Sequence, residues 1–172
     1  MSSIDTTTWL CGVEPHSGQA QRFPRYFEKR LRETYLREPR DVLVMFSGSC
    51  AFGTTTDIRP ETGADIIAPY DALPTNLGPF DLVLADPPYN AGYGAVWQAD
   101  LPRPKRIAAA AVKVLRDGGL FLLLHIIVLP AYKDLGLERI ALHPVLCGPN
   151  HAIRVLNVMR VHKPPSSFYL PR

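Results

Sequence analysis

Between residues 24 and 37, Phe27, Leu31 and Tyr35 recur every four positions with charged side chains between them. That spacing predicts an amphipathic helix, with Pro24 suited to its start and Pro39 to its stop. The pattern then changes. Residues 42–46, 54–58, 65–68 and 81–85 are short, mostly apolar or β-branched runs, each ended by turn residues. Runs of this kind suit strands covered on both faces, as in a parallel sheet. Residues 105–116 are alanine-rich and predict a helix closed by Asp117-Gly118-Gly119, and residues 120–127 predict another buried strand. Residues 137–142 and 152–161 predict a final strand pair joined by a loop carrying Cys147, Asn150 and His151. The sum is an open α/β sheet, mostly parallel with a reversed last strand. Residues 1–24 lack periodicity and read as an irregular arm, and residues 164–172 as a loose tail.

A chain of 172 residues fits one domain, taken as 1–172. Hydrophobic residues at 47% against 20% charged give a globular composition, not a disordered one. The 17 prolines imply short elements and fixed turns. The longest apolar run, 120–129, contains His125 and is too short to span a bilayer, and no leader pattern opens the chain. A cytoplasmic protein with no membrane partner is expected. Cys11, Cys50 and Cys147 are far apart and form no CxxC pair, so no disulfide framework and no metal site is expected. The formal charge of +3 does not by itself suggest nucleic acid. Seven of the 19 Lys and Arg crowd residues 22–40, interleaved with Glu28, Glu33 and Glu38, as in a solvated helix face with internal ion pairs.

The sharpest chemical signal is Asp86-Pro87-Pro88-Tyr89-Asn90, directly after the run 81–85. Consecutive prolines fix the backbone and remove two N–H donors, leaving carbonyl oxygens free to accept. The result is a rigid acceptor corner at the carboxyl edge of the sheet, where open α/β folds bind ligands. An amino group on an aromatic ring is a poor nucleophile because its lone pair is delocalised. The Asp86 carboxylate and the Pro87 carbonyl could hold its two hydrogens and favour the pyramidal form. Tyr89 would stack on the ring and keep a base out of its duplex or loop.

Asp-Pro-Pro-Tyr after a buried strand, preceded by the turn Phe46-Ser47-Gly48-Ser49, resembles the S-adenosylmethionine-dependent amino methyltransferases of the DNA adenine N6 type. The resemblance covers roughly residues 14 to 161. It implies a Rossmann-like class I methyltransferase sheet, S-adenosylmethionine as cofactor, and Asp86, Pro87, Pro88 and Tyr89 as the amine cradle, with Asp86 also beside the cofactor. Phe46, Ser47 and Gly48 look like the family's glycine turn, with Cys50 where the family has a second glycine. Pro15-His16-Ser17-Gly18-Gln19 looks like the family's His-Pro-Thr-Gln-Lys-Pro motif, which would place His16 and Ser17 near the cofactor; it reads equally as a plain N-terminal loop. Asp57 resembles the acid that meets the ribose hydroxyls. Asp71, followed by Ala72, resembles the acid that meets the cofactor's adenine amino group.

The spacing departs from the family. In nucleotide-binding α/β units the ribose acid lies about 20 residues past the glycine turn, with a helix between, whereas Gly48 is only nine residues from Asp57. The helices after the first two strands are therefore expected to be missing. One face of the sheet there would be thinly covered, by the N-terminal helix or by a second chain in a homodimer or partner complex. No target-recognition domain is expected, so a nucleic-acid partner would be single-stranded or read with low specificity. Asn90, Tyr93, Trp97 and His151 are candidates for the substrate side, with Arg103, Lys105 and Arg106 next to them; Trp97 could equally pack under the helix that follows. Transfer to adenine N6 in DNA or RNA is the preferred reading. The alternatives are cytosine N4, a glutamine amide or a small-molecule amine as acceptor, or a non-catalytic cofactor-binding subunit.

Overall fold

The computed structural model describes residues 4–12, 23–37, 41–89, 101–147 and 153–164. The apolar runs form one eight-stranded sheet. In chain order its elements are β1 (Trp9–Leu10), α1 (Phe27–Tyr35), β2 (Val42–Met45), β3 (Thr54–Asp57), β4 (Ile66–Ile67), β5 (Phe80–Ala85), α2 (Pro104–Val114), β6 (Leu115–His125), β7 (Leu137–Leu146) and β8 (Arg154–Val161). The strands lie in the order β1-β7-β8-β6-β5-β2-β3-β4. Only β8 runs against its neighbours, pairing antiparallel with both β6 and β7, so the expected mostly parallel sheet with a reversed last strand is what forms. From β2 the sheet grows one way through β3 and β4 and the other way through β5 and β6. Open α/β sheets take ligands in the crevice outside the carboxyl ends of the strands at such a reversal, which here lies between β2 and β5.

Alternation along the strands divides the core. Leu43, Met45, Val83, Ala85, Phe121 and Leu123 face α2, which packs through Ile107, Ala108, Ala111 and Val114. Val42, Val44, Leu82, Leu84, Leu122 and Leu124 face the other way, toward Phe27 and Leu31 of α1 and toward Trp9. Each fully buried Leu or Phe contributes about 1.5–3 kcal/mol relative to exposure, so the two helices stabilise the sheet from opposite faces. The Arg32 guanidinium also lies over the Phe52 ring at 5.1 Å, extending α1 toward the turn after β2. The N-terminal helix thus does part of the covering that the short connections call for. On its outer face α1 carries the ion pairs Lys29–Glu33 and Arg30–Glu33.

The crossovers from β2 to β3 and from β3 to β4 contain no α-helix; the second holds only a 3-10 turn, Pro60–Thr62. A parallel crossover normally takes a dozen or more residues. Short strands remove that need. A four-residue strand is about 13 Å long at ~3.3 Å per residue, while eight extended residues reach up to ~27 Å. The chain can therefore climb back beside β2 without a helix.

Several boundaries differ from the sequence expectation: α1 is shorter than 24–37, β6 ends at His125, and β7 runs on past 142 to Leu146. Helix α2 stops at Val114, and Leu115 already pairs with Phe80. Arg116 to Gly119 forms an irregularity within β6, held by the Arg116–Asp81 ion pair, instead of a glycine stop to the helix. The arm is also not wholly irregular: Trp9 and Leu10 add a parallel strand beside Val145 and Leu146. Under that strand His143 is fully buried, bonded through Nδ1 to the Thr7 carbonyl (2.8 Å) and through Nε2 to the Tyr35 hydroxyl (2.6 Å), with the Trp9 ring stacked at 4.9 Å. Burial, the largest influence, pushes its pKa down. The neutral ring then donates from Nδ1 and accepts the Tyr35 O–H at Nε2. Among the described residues no helix is long and apolar enough to cross a membrane.

Candidate functional site

The turn after β2 forms one wall of the crevice. Phe46 has φ 57° and Gly48 φ 53°. A left-handed conformation costs a residue other than glycine about 1–2 kcal/mol, so Phe46 is held there by its surroundings; its ring packs on Tyr70 at 5.4 Å. The Ser47 N–H donates to the Thr56 carbonyl (3.1 Å) and the Cys50 N–H to the Ser47 carbonyl (2.9 Å). Asp57, only 6% exposed at the end of β3, closes the arrangement. Its Oδ2 accepts the Gly48 N–H at 3.0 Å, and its Oδ1 accepts the Arg59 N–H at 3.0 Å and Nε at 3.2 Å. The acid therefore takes over, by hydrogen bonds, part of the bracing that a crossover helix would give this turn. Among the described residues, the buried Ser47 Oγ and Thr56 Oγ1 lack a hydrogen-bond partner, although buried hydroxyls are normally satisfied.

The opposite wall is the corner after β5. Asp86, Pro87 and Pro88 are buried, with Asp86 only 2% exposed. The Tyr89 hydroxyl donates to Asp86 Oδ1. Arg154, the first residue of β8, approaches Asp86 Oδ2 with Nη1 at 3.7 Å and places its guanidinium over the Tyr89 ring at 5.6 Å. His125, ending β6, meets the same ring edge-on at 5.2 Å. Burial pushes the His125 pKa down, and its Nδ1 accepts the Ile127 N–H at 3.3 Å, so the ring is a neutral acceptor on that side. A buried carboxylate, an aromatic ring, a guanidinium and an imidazole thus gather where β5, β6 and β8 meet.

The structure places Phe46, Ser47, Gly48 and Asp57 on one side of the crevice and Asp86, Pro87, Pro88 and Tyr89 on the other. Asp71 and Ala72 are exposed, in a turn closed by the Ala72 N–H on the Pro69 carbonyl (3.0 Å). Tyr70, immediately before them, is the residue that touches Phe46. His16, Ser17, Asn90, Tyr93, Trp97 and His151 lie outside the described residues. Sequence reasoning missed Arg154, whose charge in a strand that also carries Asn157 and Arg160 gave no signal of its own. It also missed Ile58, 53% exposed beside Asp57, an apolar surface at that same edge.

No protein-family model and no curated protein matches the sequence. Solved structures do match in shape. TrmN from Thermus thermophilus superposes with a TM-score of 0.55 at 20% identity, over 77% of this chain and 47% of its own, so this chain spans about half of that protein. The N-methyltransferase NodS from Bradyrhizobium japonicum gives 0.53 at 12% identity, over 79% and 94% of the two chains. The T. thermophilus 16S rRNA N2 methyltransferase RsmC, in complex with AdoMet and guanosine, gives 0.52 at 15% identity, over 86% and 45%. At such identities the likeness shows the fold: the sheet is that of the Rossmann-like methyltransferases.

Proposed function

We propose that this chain transfers a methyl group from S-adenosylmethionine to an exocyclic amino group, with adenine N6 in DNA or RNA as the preferred acceptor. The observation that carries the reading is the buried Asp86-Pro87 corner at the carboxyl end of β5, next to β2 and the glycine turn that follows it. The methyltransferase fold supports it, as do structural neighbours described as an N-methyltransferase and as a methyltransferase of rRNA bound to AdoMet.

The residues present fit the cofactor. Ser47 Oγ is a buried polar atom in want of a partner beside the turn, and a nucleoside or amino-acid group would supply one. Gly48 keeps the turn open to close approach. Asp57 accepts from the Gly48 N–H, the Arg59 N–H and both Nε and Nη2 of Arg59, so a ribose hydroxyl would take the place of the long Nη2 contact (3.4 Å) on the carboxylate that braces Gly48. Ile58 offers an apolar surface to the adenine ring, and Asp71, carried on the Tyr70–Phe46 contact, an acceptor for its amino group. Phe46, Ala72, His16 and Ser17 complete the proposed cofactor set.

Bound there, the cofactor supplies a methyl group activated by a sulfonium. The chain's own groups prepare the acceptor. Asp86 Oδ1, where the Tyr89 hydroxyl now donates, and the Pro87 carbonyl accept the two amino hydrogens, turning the nitrogen lone pair out of conjugation. With the cofactor bound, that pair would be free to form the new N–C bond, the electrons of the methyl–sulfur bond staying on sulfur. The methylated nitrogen, now cationic and acidic, loses a proton to Asp86 or to water. Tyr89 stacks on the base, and Asn90, Tyr93, Trp97 and His151 are its proposed further contacts.

The test is incubation with methyl-labelled S-adenosylmethionine and separate pools of DNA, RNA, protein and metabolites, locating the label by mass spectrometry. Label on adenine N6 supports the full reading. Label on cytosine N4, a glutamine amide or a metabolite amine retains the chemistry and changes the acceptor. Asp86→Ala should abolish turnover while cofactor binding, read by calorimetry, persists. A cofactor-binding subunit that only supports an active partner would instead be indifferent to that substitution.

A further inference from the structure

We propose that Arg154 is a positioning residue that keeps Asp86 ionised and its carboxylate turned into the crevice, an inference that rests on the reading of Asp86 as amine acceptor. A carboxylate 2% exposed on a strand end loses its hydration, and burial alone favours its neutral form. A neutral Asp86 would still bear one acceptor oxygen, but it would attract the amino hydrogens far less and could not take up the proton released after transfer.

Arg154 opposes that effect in two ways. Its Nη1 stands 3.7 Å from Oδ2, with the guanidinium side chain itself only 24% exposed, so solvent screens the pair weakly. Its cationic plane over the Tyr89 ring ties the counter-ion to the aromatic that is to carry the base. Oδ2 faces Arg154, and Oδ1 receives the Tyr89 hydroxyl, the side on which an incoming amino hydrogen would replace it. Among the described residues, two other basic groups at this edge of the sheet are otherwise engaged. His125 on β6 is kept neutral by burial, and on the glycine-turn side Arg59 is paired with Asp57. The placement follows from topology, because β8, running antiparallel to β6, starts at the edge where β5 and β6 end.

The test reads the Asp86 carboxyl directly, by carbon-13 NMR titration of the acceptor-free full chain, with the signal assigned by its loss in Asp86→Asn. In Arg154→Met the Asp86 titration should move up by about one pH unit, within the one to three units typical of an adjacent opposite charge, and in Arg154→Lys by much less. In methyl transfer to whichever acceptor takes label, the acid limb of the pH–rate profile should move by the same amount, about a tenfold loss of rate at a pH on that limb. A cooperative thermal transition in Arg154→Lys shows that the site tolerates substitution if the methionine variant does not fold, and the comparison then rests on Lys against Gln. An Asp86 titration unchanged when the charge at position 154 is removed overturns the inference, even if methyl transfer is found. A titration that moves in a chain that methylates nothing would leave the counter-ion role intact and sink the proposed function.

Discussion

Gly53 shows how narrowly the helix-free crossover is specified. It has φ 69°, and a Cβ placed there would lie 2.7 Å from the Val42 carbonyl oxygen, so a side chain meets both backbone strain and a main-chain wall. Gly53→Ala should destabilise the chain by about 1–3 kcal/mol, read as a lowered urea midpoint. Gly63 has nearly the same φ, 70°, but nothing within 4 Å of a built Cβ. Gly63→Ala should therefore cost the backbone strain alone, about 1–2 kcal/mol and less than Gly53→Ala, and equal losses at the two positions would refute the steric argument. At this scale the sequence was legible where chemistry is consecutive: Asp86-Pro87-Pro88-Tyr89 needs no tertiary information to be read as an acceptor corner. Arg154 was not legible as its partner, because their meeting is decided by where β8 enters the sheet.

Among the elements, α1 was the easiest to read, since a four-residue spacing leaves little choice of face, and Phe27 and Leu31 are fully buried as expected. Tyr35, third on that stripe, instead ends on His143, a contact that periodicity cannot foresee. Because α1 covers the sheet face opposite α2, Leu31→Ala should cost about 2–5 kcal/mol in equilibrium urea unfolding; a loss below 1 kcal/mol would mean that the helix is not integral to the core. The junction of α2 with β6 was misplaced for a physical reason. Asp-Gly-Gly ordinarily ends a helix, but here the chain passes straight from Val114 into pairing with Phe80, and the glycines are spent on an irregular stretch of strand. The missing crossover helices, by contrast, could be read from residue counts alone.

For the molecule as a whole, His125 and His143 make stability depend on pH. Burial lowers both pKa values in the fold, while the unfolded chain keeps values near about 6.5. The unfolded state therefore binds more protons once the pH drops below that value, and stability that is fully present above it is lost as the pH falls toward the lowered folded pKa values. The melting temperature should be flat from about pH 7 to 8 and decline below about 6.5. His143→Gln should be less stable at neutral pH but shallower in that decline; an unchanged slope in the double variant His125→Gln/His143→Gln would remove the histidines as its cause.

The two outermost strands, β1 and β4, are each only two residues long. An edge that brief offers newcomers hardly any unpaired amide and carbonyl groups, which is one way natural proteins guard against runaway lateral stacking. If two copies of this chain meet in solution, side chains must hold them together, because the hydrogen-bonded ribbon is fenced at both borders.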